Sequence, residues 1–215
     1  MKLCIHQPNY LPGGSFFRKC ALSDAVIFLD DVTYEKNGYT NRNKIRTIEG
    51  WDWLTVAVHA KHDTLVKDVK IDFNNLVKHA PIIEYWYKKA KNFEVIWPFL
   101  RQAYQKGFED LMSLNMELIS NFFYLLHIKP KHIGFSSELG VKTTGSDRIL
   151  DICRLMNADT YLTGPGGINY LELEHFKNNE IDVHMVKGEH KPYKQLYKGF
   201  VEGLSELDFL MCGDY

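Results

Sequence analysis

The sequence predicts an α/β fold in which a mostly parallel central sheet carries a helical insertion near its middle. Short apolar runs at residues 2–6 and 25–30 flank a helix-like segment at 13–23, and the same rhythm returns after residue 131. A strand, a short helix and a strand at this spacing form a right-handed βαβ crossover, which makes the two strands parallel.

The remaining elements follow from their hydrophobic periodicity. Alternation in "WDWLTVAV" predicts a further strand, and "VKDVKID" predicts an edge strand. From about 78 to 127 the apolar spacing becomes helical, and the broad apolar face of the last of these helices is predicted to be core. We expect one domain over 1–215 containing that insertion. The final predicted elements are strands at 132–137, 160–164 and 183–186 and a helix at 146–157, capped by Thr144 or Ser146.

Composition and charge favour a globular protein and argue against a nucleic-acid-binding or membrane-spanning one. The 215 residues are 45% hydrophobic and 25% charged with a formal net charge of −1, which is ordinary for a soluble globular chain and gives no basic field for nucleic acid. No apolar run approaches the roughly 18 residues of a transmembrane helix. The four cysteines form no CxxC pair, and Cys4 and Cys153 are predicted to be buried thiols. These features favour the cytoplasm.

A polar group directly follows the first predicted strand. Its members are His6, Gln7, Asn9 and Tyr10, held on a stiff bend by neighbouring prolines. In open α/β sheets, ligands bind outside the carboxyl ends of the strands. The pattern therefore predicts that these four residues line a pocket, with His6 as the general base because its ordinary pKa lies near neutrality.

A second polar cluster follows the second predicted strand, in "LDDVTYEKNGYTNRNKI". Arg42 and Lys44, with Asn41 beside them, suit an anionic group, since Arg forks onto phosphate or carboxylate and Lys supplies a point charge. The alternative is a solvated turn in which Arg42 only pins the loop. With His6, Asp31 and Arg42 are the candidate catalytic residues; Asp31 would hold a metal or a substrate amine, or would merely cap a turn.

Two later loops also suit an anion. In "YLTGPGGINYL" a strand runs into Gly164, Gly166 and Gly167, and Tyr170 follows; a tight turn explains the glycines almost as well. In "GVKTTGSDRIL" a hydroxyl-rich stretch that includes Ser146 leads into a helix, for which simple capping is the alternative. No set of histidines and cysteines has the spacing of a zinc site, so no metal ligand is predicted.

The C-terminal stretch 189–213 contains Tyr193 and Gln195 among basic and apolar residues. Two alternatives stay open for it: a lid that folds over the site, with these two side chains contacting substrate, or a segment that docks on the core.

The segments "HQPNYLP", "FLDDVTYEKNGYTNRNKI", "TGSDRILDICRLMNADTYLTGPGGINYL" and "YKQLYKGFVEGLSELDFL" resemble the WbqC-like protein family nearly end to end. The resemblance implies a bacterial protein of surface-polysaccharide (O-antigen or capsule) biosynthesis, with the proposed role of transferring glycine or another amino acid onto a sugar. One departure is that Gly13, Gly14 and Ser15 follow "LP", where the family usually has an aromatic residue.

The layout is also similar to the nucleotidylyltransferase-like, Rossmann-like group, which includes pantoate-activating ligases. "YLPGGSFFRK" occupies the place of that group's histidine motif but lacks both histidines. Either His6 and Lys19 substitute for them, or the chain does not bind ATP in that way. ATP with Mg²⁺ is thus the cofactor that this resemblance suggests, and the sequence leaves the cofactor open.

Taken together, these features predict an aminoacyl transferase or an ATP-dependent amide-forming ligase. Its small-molecule partners would be an amino acid and a sugar or nucleotide-sugar, with no nucleic acid and no membrane span. The alternatives are a non-catalytic nucleotide-sugar binding partner in a biosynthetic complex and an acyl transferase acting on another small molecule. The oligomeric state stays open, a homo-oligomer included.

Overall fold

The computed structural model describes residues 1–188 and 190–214, which form nine strands and nine α-helices with two short 3-10 helices. In chain order the strands and α-helices are β1 (Lys2–His6), α1 (Gly14–Leu22), β2 (Ala25–Phe28), β3 (Arg42–Thr47), β4 (Gly50–Thr55), β5 (Val58–His59), β6 (Lys70–Ile71), α2 (Phe73–Leu76), α3 (His79–Tyr87), α4 (Phe93–Gln105), α5 (Leu111–Leu125), β7 (His132–Phe135), α6 (Gly145–Leu155), β8 (Thr160–Thr163), α7 (Pro165–Ile168), α8 (Leu173–Asn178), β9 (Asp182–Met185) and α9 (Glu206–Cys212).

The chain divides into two compact units, which we call the sheet unit and the helical unit. The sheet unit comprises Met1–Gln7, Ser15–Asp31 and Ile128–Gly188. The helical unit comprises Pro8–Gly14, Val32–His127 and the described part of 189–215. The single domain over 1–215 stays a prediction, and Glu189 and Tyr215 lie outside the described residues.

The sheet unit is built on five parallel strands in the order β7-β2-β1-β8-β9. This architecture confirms the predicted α/β fold with a parallel central sheet and is Rossmann-like. Strand β2 is buried along its whole length, and its continuous apolar sequence is typical of a parallel strand covered on both faces. The apolar runs therefore identified the correct strands because no polar face interrupts them.

Helix α6 covers the sheet with Ile149, Ile152 and Cys153, which join the buried cluster that includes Leu3 and Ile27. Its N-cap residue is Thr144, but the Thr144 side chain makes no capping hydrogen bond. The other predicted cap, Ser146, accepts a hydrogen bond at 2.9 Å from the backbone N–H of Glu172. Ser146 thus joins α6 to the segment before α8 instead of capping its own helix.

The strand order reverses direction at β1. From β1 the chain moves to β2 and then β7 on one side, while β8 and β9 lie on the other side. In open parallel sheets, the carboxyl ends of the strands at such a reversal are the usual place for a ligand. The topology therefore places the ends of β1 and β8, at His6 and Gly164, at that position.

The helical unit begins with a hairpin. Strands β3 and β4 pair antiparallel, with Arg42 opposite Thr55 and Thr47 opposite Gly50. The sequence revealed β4 but not β3, because "RNKIRT" is almost entirely polar. The predicted edge strand at 66–72 is a 3-10 helix over Val66–Asp68 followed by the two-residue β6, which pairs with β5.

Helices α3, α4 and α5 occupy the segment predicted to be helical. Asp110 caps α5 by accepting a hydrogen bond from the backbone N–H of Ser113 at 2.8 Å. The apolar face of α5 is core, as predicted: Leu114, Leu118 and Phe122 are fully buried. Among the described residues, no helix combines the length and apolar character needed to cross a membrane.

Candidate functional site at the carboxyl edge of the parallel sheet

The carboxyl edge of the parallel sheet collects polar groups from four strands. His6 is the last residue of β1, and Gly164 follows β8. Asp30 and Asp31 follow β2, and Ser136 and Ser137 follow β7. His6 and Gly166 thus follow neighbouring strands of the sheet unit, while Asn9 and Arg42 belong to the helical unit. A single cleft lined by all four stays a prediction.

His6 is held in one neutral form by its surroundings. Its Nδ1 lies 2.8 Å from the backbone oxygen of Gln7, and a carbonyl only accepts, so Nδ1 carries the hydrogen in the neutral ring. The ring packs edge-on against Phe16. Burial and then the charge of Lys19 lower the pKa of His6 to about 3. At neutral pH, His6 therefore presents an uncharged ring whose Nε2 is a hydrogen-bond acceptor.

Lys19 is a buried lysine beside this edge of the sheet. It lies on α1 with 3% of its surface exposed, and it makes no hydrogen bond or ion pair with any residue that the structure describes. Its ammonium nitrogen is 3.8 Å from the point where a Cβ on Gly164 would lie. A buried charge without a partner is costly, so such lysines are rare in cores. This arrangement leaves a positive charge available beside the ends of β1 and β8.

From the sequence, Lys19 is predicted only as one possible substitute, with His6, for the missing histidine motif. A signal for its burial was nevertheless present, because Lys19 stands three residues after Phe16 and just before Cys20, both of which are buried. Residues three and four apart share one helix face. Its neighbour Arg18 lies on the exposed side.

The three predicted glycines differ in what they require. A Cβ on Gly167 would lie 2.2 Å from the hydroxyl of Thr163, so a larger residue there would force the Thr163 side chain to move. A Cβ on Gly166 would meet open space. Packing against Thr163 therefore favours glycine at 167, whereas a Cβ at 164 would make only an ordinary van der Waals contact with the Lys19 ammonium. Tyr170, after this turn, is about half exposed, and burial raises the pKa of its hydroxyl.

Asp30 and Asp31 belong to a closed polar network within the sheet unit. Asp30 accepts hydrogen bonds from the backbone N–H and the hydroxyl of Ser137, at 2.9 and 2.6 Å. Asp31 accepts from the Ser136 hydroxyl and forms an ion pair with Arg148 on α6. Burial opposes ionisation of Asp31, but the hydrogen bonds from Ser136 and Arg148 outweigh it and lower its pKa. These contacts fasten the ends of β2 and β7 to α6, and the catalytic role of Asp31 stays a prediction.

In the helical unit, Arg42 and Lys44 lie on one face of the hairpin and rest on tryptophans of β4. The Arg42 guanidinium is 4.1 Å from the centre of the Trp53 ring, and the Lys44 ammonium is 4.1 Å from that of Trp51. Arg42 also donates to the backbone oxygen of Asn37. These contacts agree with the alternative in which Arg42 holds the loop in place. The anion-binding and catalytic roles of Arg42 stay predictions.

Asn41 and Tyr10 are engaged within the helical unit. Asn41 donates to the backbone oxygen of Val56 at 2.9 Å. Tyr10 is fully buried, and its hydroxyl contacts the Tyr104 hydroxyl and lies 2.7 Å from Nδ1 of His79. Burial lowers the pKa of His79 to about 4, so the neutral ring donates from Nε2 to the Thr55 oxygen and accepts from Tyr10 at Nδ1.

The described part of the C-terminal stretch docks on the core of the helical unit. The Tyr193 hydroxyl donates to Asp208 at 2.6 Å, and Gln195 bonds with the Arg46 side chain and with Val201. Gln195 and Asp208 are both buried. The geometry supports docking over a lid, and contact of Tyr193 or Gln195 with a substrate stays a prediction. Glu189, the first residue of that stretch, lies outside the described residues.

The described residues contain no cluster of three or more His, Cys, Asp or Glu side chains with the geometry of a metal site. All four cysteines are free and buried, which confirms the prediction for Cys4 and Cys153. Cys4 and Cys20 lie with their sulfur atoms 4.0 Å apart, near the Lys19 charge.

The fold and the position of this edge define a Rossmann-like α/β protein with a basic group at the reversal of its sheet. The chain belongs to the WbqC-like protein family, whose model matches residues 7–214. It is also similar to the uncharacterized protein Rv1507c of Mycobacterium tuberculosis (strain ATCC 25618 / H37Rv), with 29% identity over 214 residues that cover 97% of this chain and 92% of the relative.

Proposed function

We propose that this protein is an enzyme that binds a phosphate-bearing substrate at the carboxyl edge of the parallel sheet and joins an amino acid to a sugar or nucleotide-sugar. The single observation that carries the binding step is Lys19, a buried side chain whose ammonium group has no partner among the described residues and lies beside the ends of β1 and β8. The amino acid, the sugar and the context of surface-polysaccharide biosynthesis rest on the family resemblance.

Electrostatics supports phosphate as the group that Lys19 recognises. An ammonium group held in place before the ligand arrives needs little reorganisation to stabilise negative charge, and this is often the largest contribution to catalysis. A phosphate or an acyl phosphate would supply the missing partner. It would also cancel part of the Lys19 charge that lowers the pKa of His6.

That coupling gives His6 its role in the proposed reaction. With phosphate bound beside Lys19, the pKa of His6 would rise toward neutrality, because a nearby negative charge favours the protonated ring. Nε2 of His6 would then be a better acceptor for the proton that the attacking amine or hydroxyl group loses as it bonds to the acyl carbon, while the bond from that carbon to the phosphate oxygen breaks and the phosphate group leaves. His6 and Lys19 thus act as one unit in which substrate binding prepares the base.

The test of the binding step uses inorganic pyrophosphate and ATP as probes in calorimetric titrations. Lys19→Gln should weaken binding about 10- to 150-fold, the range for a lost charge-assisted hydrogen bond of roughly 1.5–3 kcal/mol. Arg18→Gln, which removes a charge from the exposed side of the same helix, should leave binding unchanged. Equal affinity of the wild type and Lys19→Gln would refute the site.

The test of the reaction incubates the wild type with ATP, an amino acid and a nucleotide-sugar and follows the product mass. Formation of an amino-acylated sugar with release of phosphate or pyrophosphate supports the enzyme. Binding of the nucleotide-sugar without any product under these conditions would favour the non-catalytic binding partner instead.

A further inference from the structure

The surface of α2 and α3 in the helical unit combines exposed apolar side chains with basic residues. Large apolar side chains lie exposed within thirteen residues of sequence: Phe73, Val77, Ile82 and Tyr85. On α3, Ile82 and Tyr85 are 38% and 65% exposed, while His79, Ile83 and Tyr87 on its opposite face are buried. One face of α3 thus packs on the core, and the other presents Ile82 and Tyr85 to solvent together with the carboxylate of Glu84.

Lysines frame these apolar groups. Lys78, Lys88 and Lys89 are exposed, and their ammonium groups form no ion pair within the described residues. Residues 78–106 contain six Lys or Arg and only two Glu, although the whole chain has a formal net charge of −1. This segment therefore carries an excess of four positive charges next to the exposed apolar side chains of α2 and α3.

A cleft opens beside the same surface, between α3 and α4. It has a volume of about 460 Å³, and Phe73, Val77 and Pro81 line it on one side. Trp97 and Arg101 of α4 line the other side, and Trp97 is fixed by stacking on Phe93. Glu84 lines the cleft as well, so its wall carries one acidic and one basic side chain, and the excess positive charge lies on the lysines around it.

We propose that this α2–α3 surface docks on an anionic lipid bilayer, with the exposed apolar side chains at the acyl boundary and the lysines at the headgroups. A helix with one apolar face and flanking lysines lies in the plane of a membrane interface, where Tyr and Trp are also favoured. The charge complementarity selects acidic lipids. Binding is peripheral and goes beyond the function proposed above.

Flotation with vesicles tests the proposal. The probes are vesicles of phosphatidylcholine alone and vesicles with about one-third phosphatidylglycerol, each at low and high salt. The wild type should float with the acidic vesicles, less at high salt, and not with the neutral ones, because exposed charges are screened.

Two triple variants that each remove three positive charges distinguish an effect of this surface from an effect of the protein's net charge. Each lysine near an acidic surface contributes about fivefold, so Lys78→Gln, Lys88→Gln and Lys89→Gln together should lower the partition coefficient at least tenfold. The control combines Lys36→Gln, Lys129→Gln and Lys177→Gln, all exposed elsewhere, and should lower it much less. Replacing Ile82 and Tyr85 by Ser should reduce the binding that persists at high salt.

Several results would overturn the proposal. They are no flotation of the wild type, equal binding to neutral and acidic vesicles, and equal losses for the two triple variants. Sedimentation velocity adds a further check: a wild-type dimer that Ile82→Ser and Tyr85→Ser dissociate, without vesicle binding, would assign the surface to a second copy of the chain. Pyrophosphate affinity, which depends on Lys19, should be the same in every one of these variants.

Discussion

Two buried cations of this protein, Arg46 and Lys19, have opposite surroundings. Arg46, in the helical unit, is 1% exposed and makes five side-chain hydrogen bonds, to Gln195 and to the backbone oxygens of Thr47, Gly50, Lys198 and Gly199. Lys19, in the sheet unit, is 3% exposed and makes none with the described residues. In the folded protein the guanidinium N–H groups of Arg46 all donate to protein acceptors. The ammonium N–H groups of Lys19 have no acceptor among the described residues and can donate to a ligand. The difference distinguishes a structural charge from the charge that we propose binds a phosphate.

The largest expected effect is on Arg46. Arg46→Met should lower the free energy of unfolding by about 3–5 kcal/mol, because four backbone oxygens and Gln195 lose a buried donor. Urea titration measures it, with Arg154→Met, an exposed arginine, as control. A loss of under about 1 kcal/mol would mean that water replaces the guanidinium easily, and the comparison with Lys19 would fail.

The sequence predicted the sheet unit well and these two cations poorly. Strands β1, β2 and β8 are apolar runs, so their period and burial are visible in the residues alone. Strand β3 alternates Arg and Lys with Asn and Ile, and its stability comes from tryptophans on β4 that no local pattern reveals. Whether a buried cation has partners depends on residues up to 153 positions away, as for Arg46 and Gly199.

A pH effect of intermediate size should come from His79 in the helical unit. Its folded pKa of about 4 lies below the ordinary 6.5, so the unfolded chain binds the proton more tightly. Stability from this group is therefore present above pH 6.5 and is lost as the pH falls toward 4. Between pH 7 and pH 5 it should amount to about 2 kcal/mol.

His79→Gln isolates this contribution. The variant loses hydrogen bonds at every pH, so the informative quantity is the difference in unfolding free energy between pH 7 and pH 5. We expect this difference to be smaller in the variant by about 2 kcal/mol. Identical differences in the two proteins would show that the ring of His79 is accessible to protons in the fold.

A smaller effect should follow from Arg42. Arg42→Ala removes the contact with Trp53 and the hydrogen bond to Asn37, and we expect a loss of about 1 kcal/mol in stability. Arg42→Lys should restore part of it, since an ammonium group also rests on an indole ring. The earlier expectation of an anion site predicts the opposite: weaker pyrophosphate binding by Arg42→Ala with little change in melting temperature.

The most direct test of the contrast between the two cations is Lys19→Met, measured for unfolding free energy and for pyrophosphate affinity together. If Lys19 is held for a ligand, methionine removes a costly buried charge, so stability should stay unchanged or rise by about 1 kcal/mol while affinity falls at least about tenfold. Arg18→Met on the exposed side of α1 should change neither quantity. A variant that loses stability as Arg46→Met does, and still binds pyrophosphate as the wild type does, would contradict the proposed site.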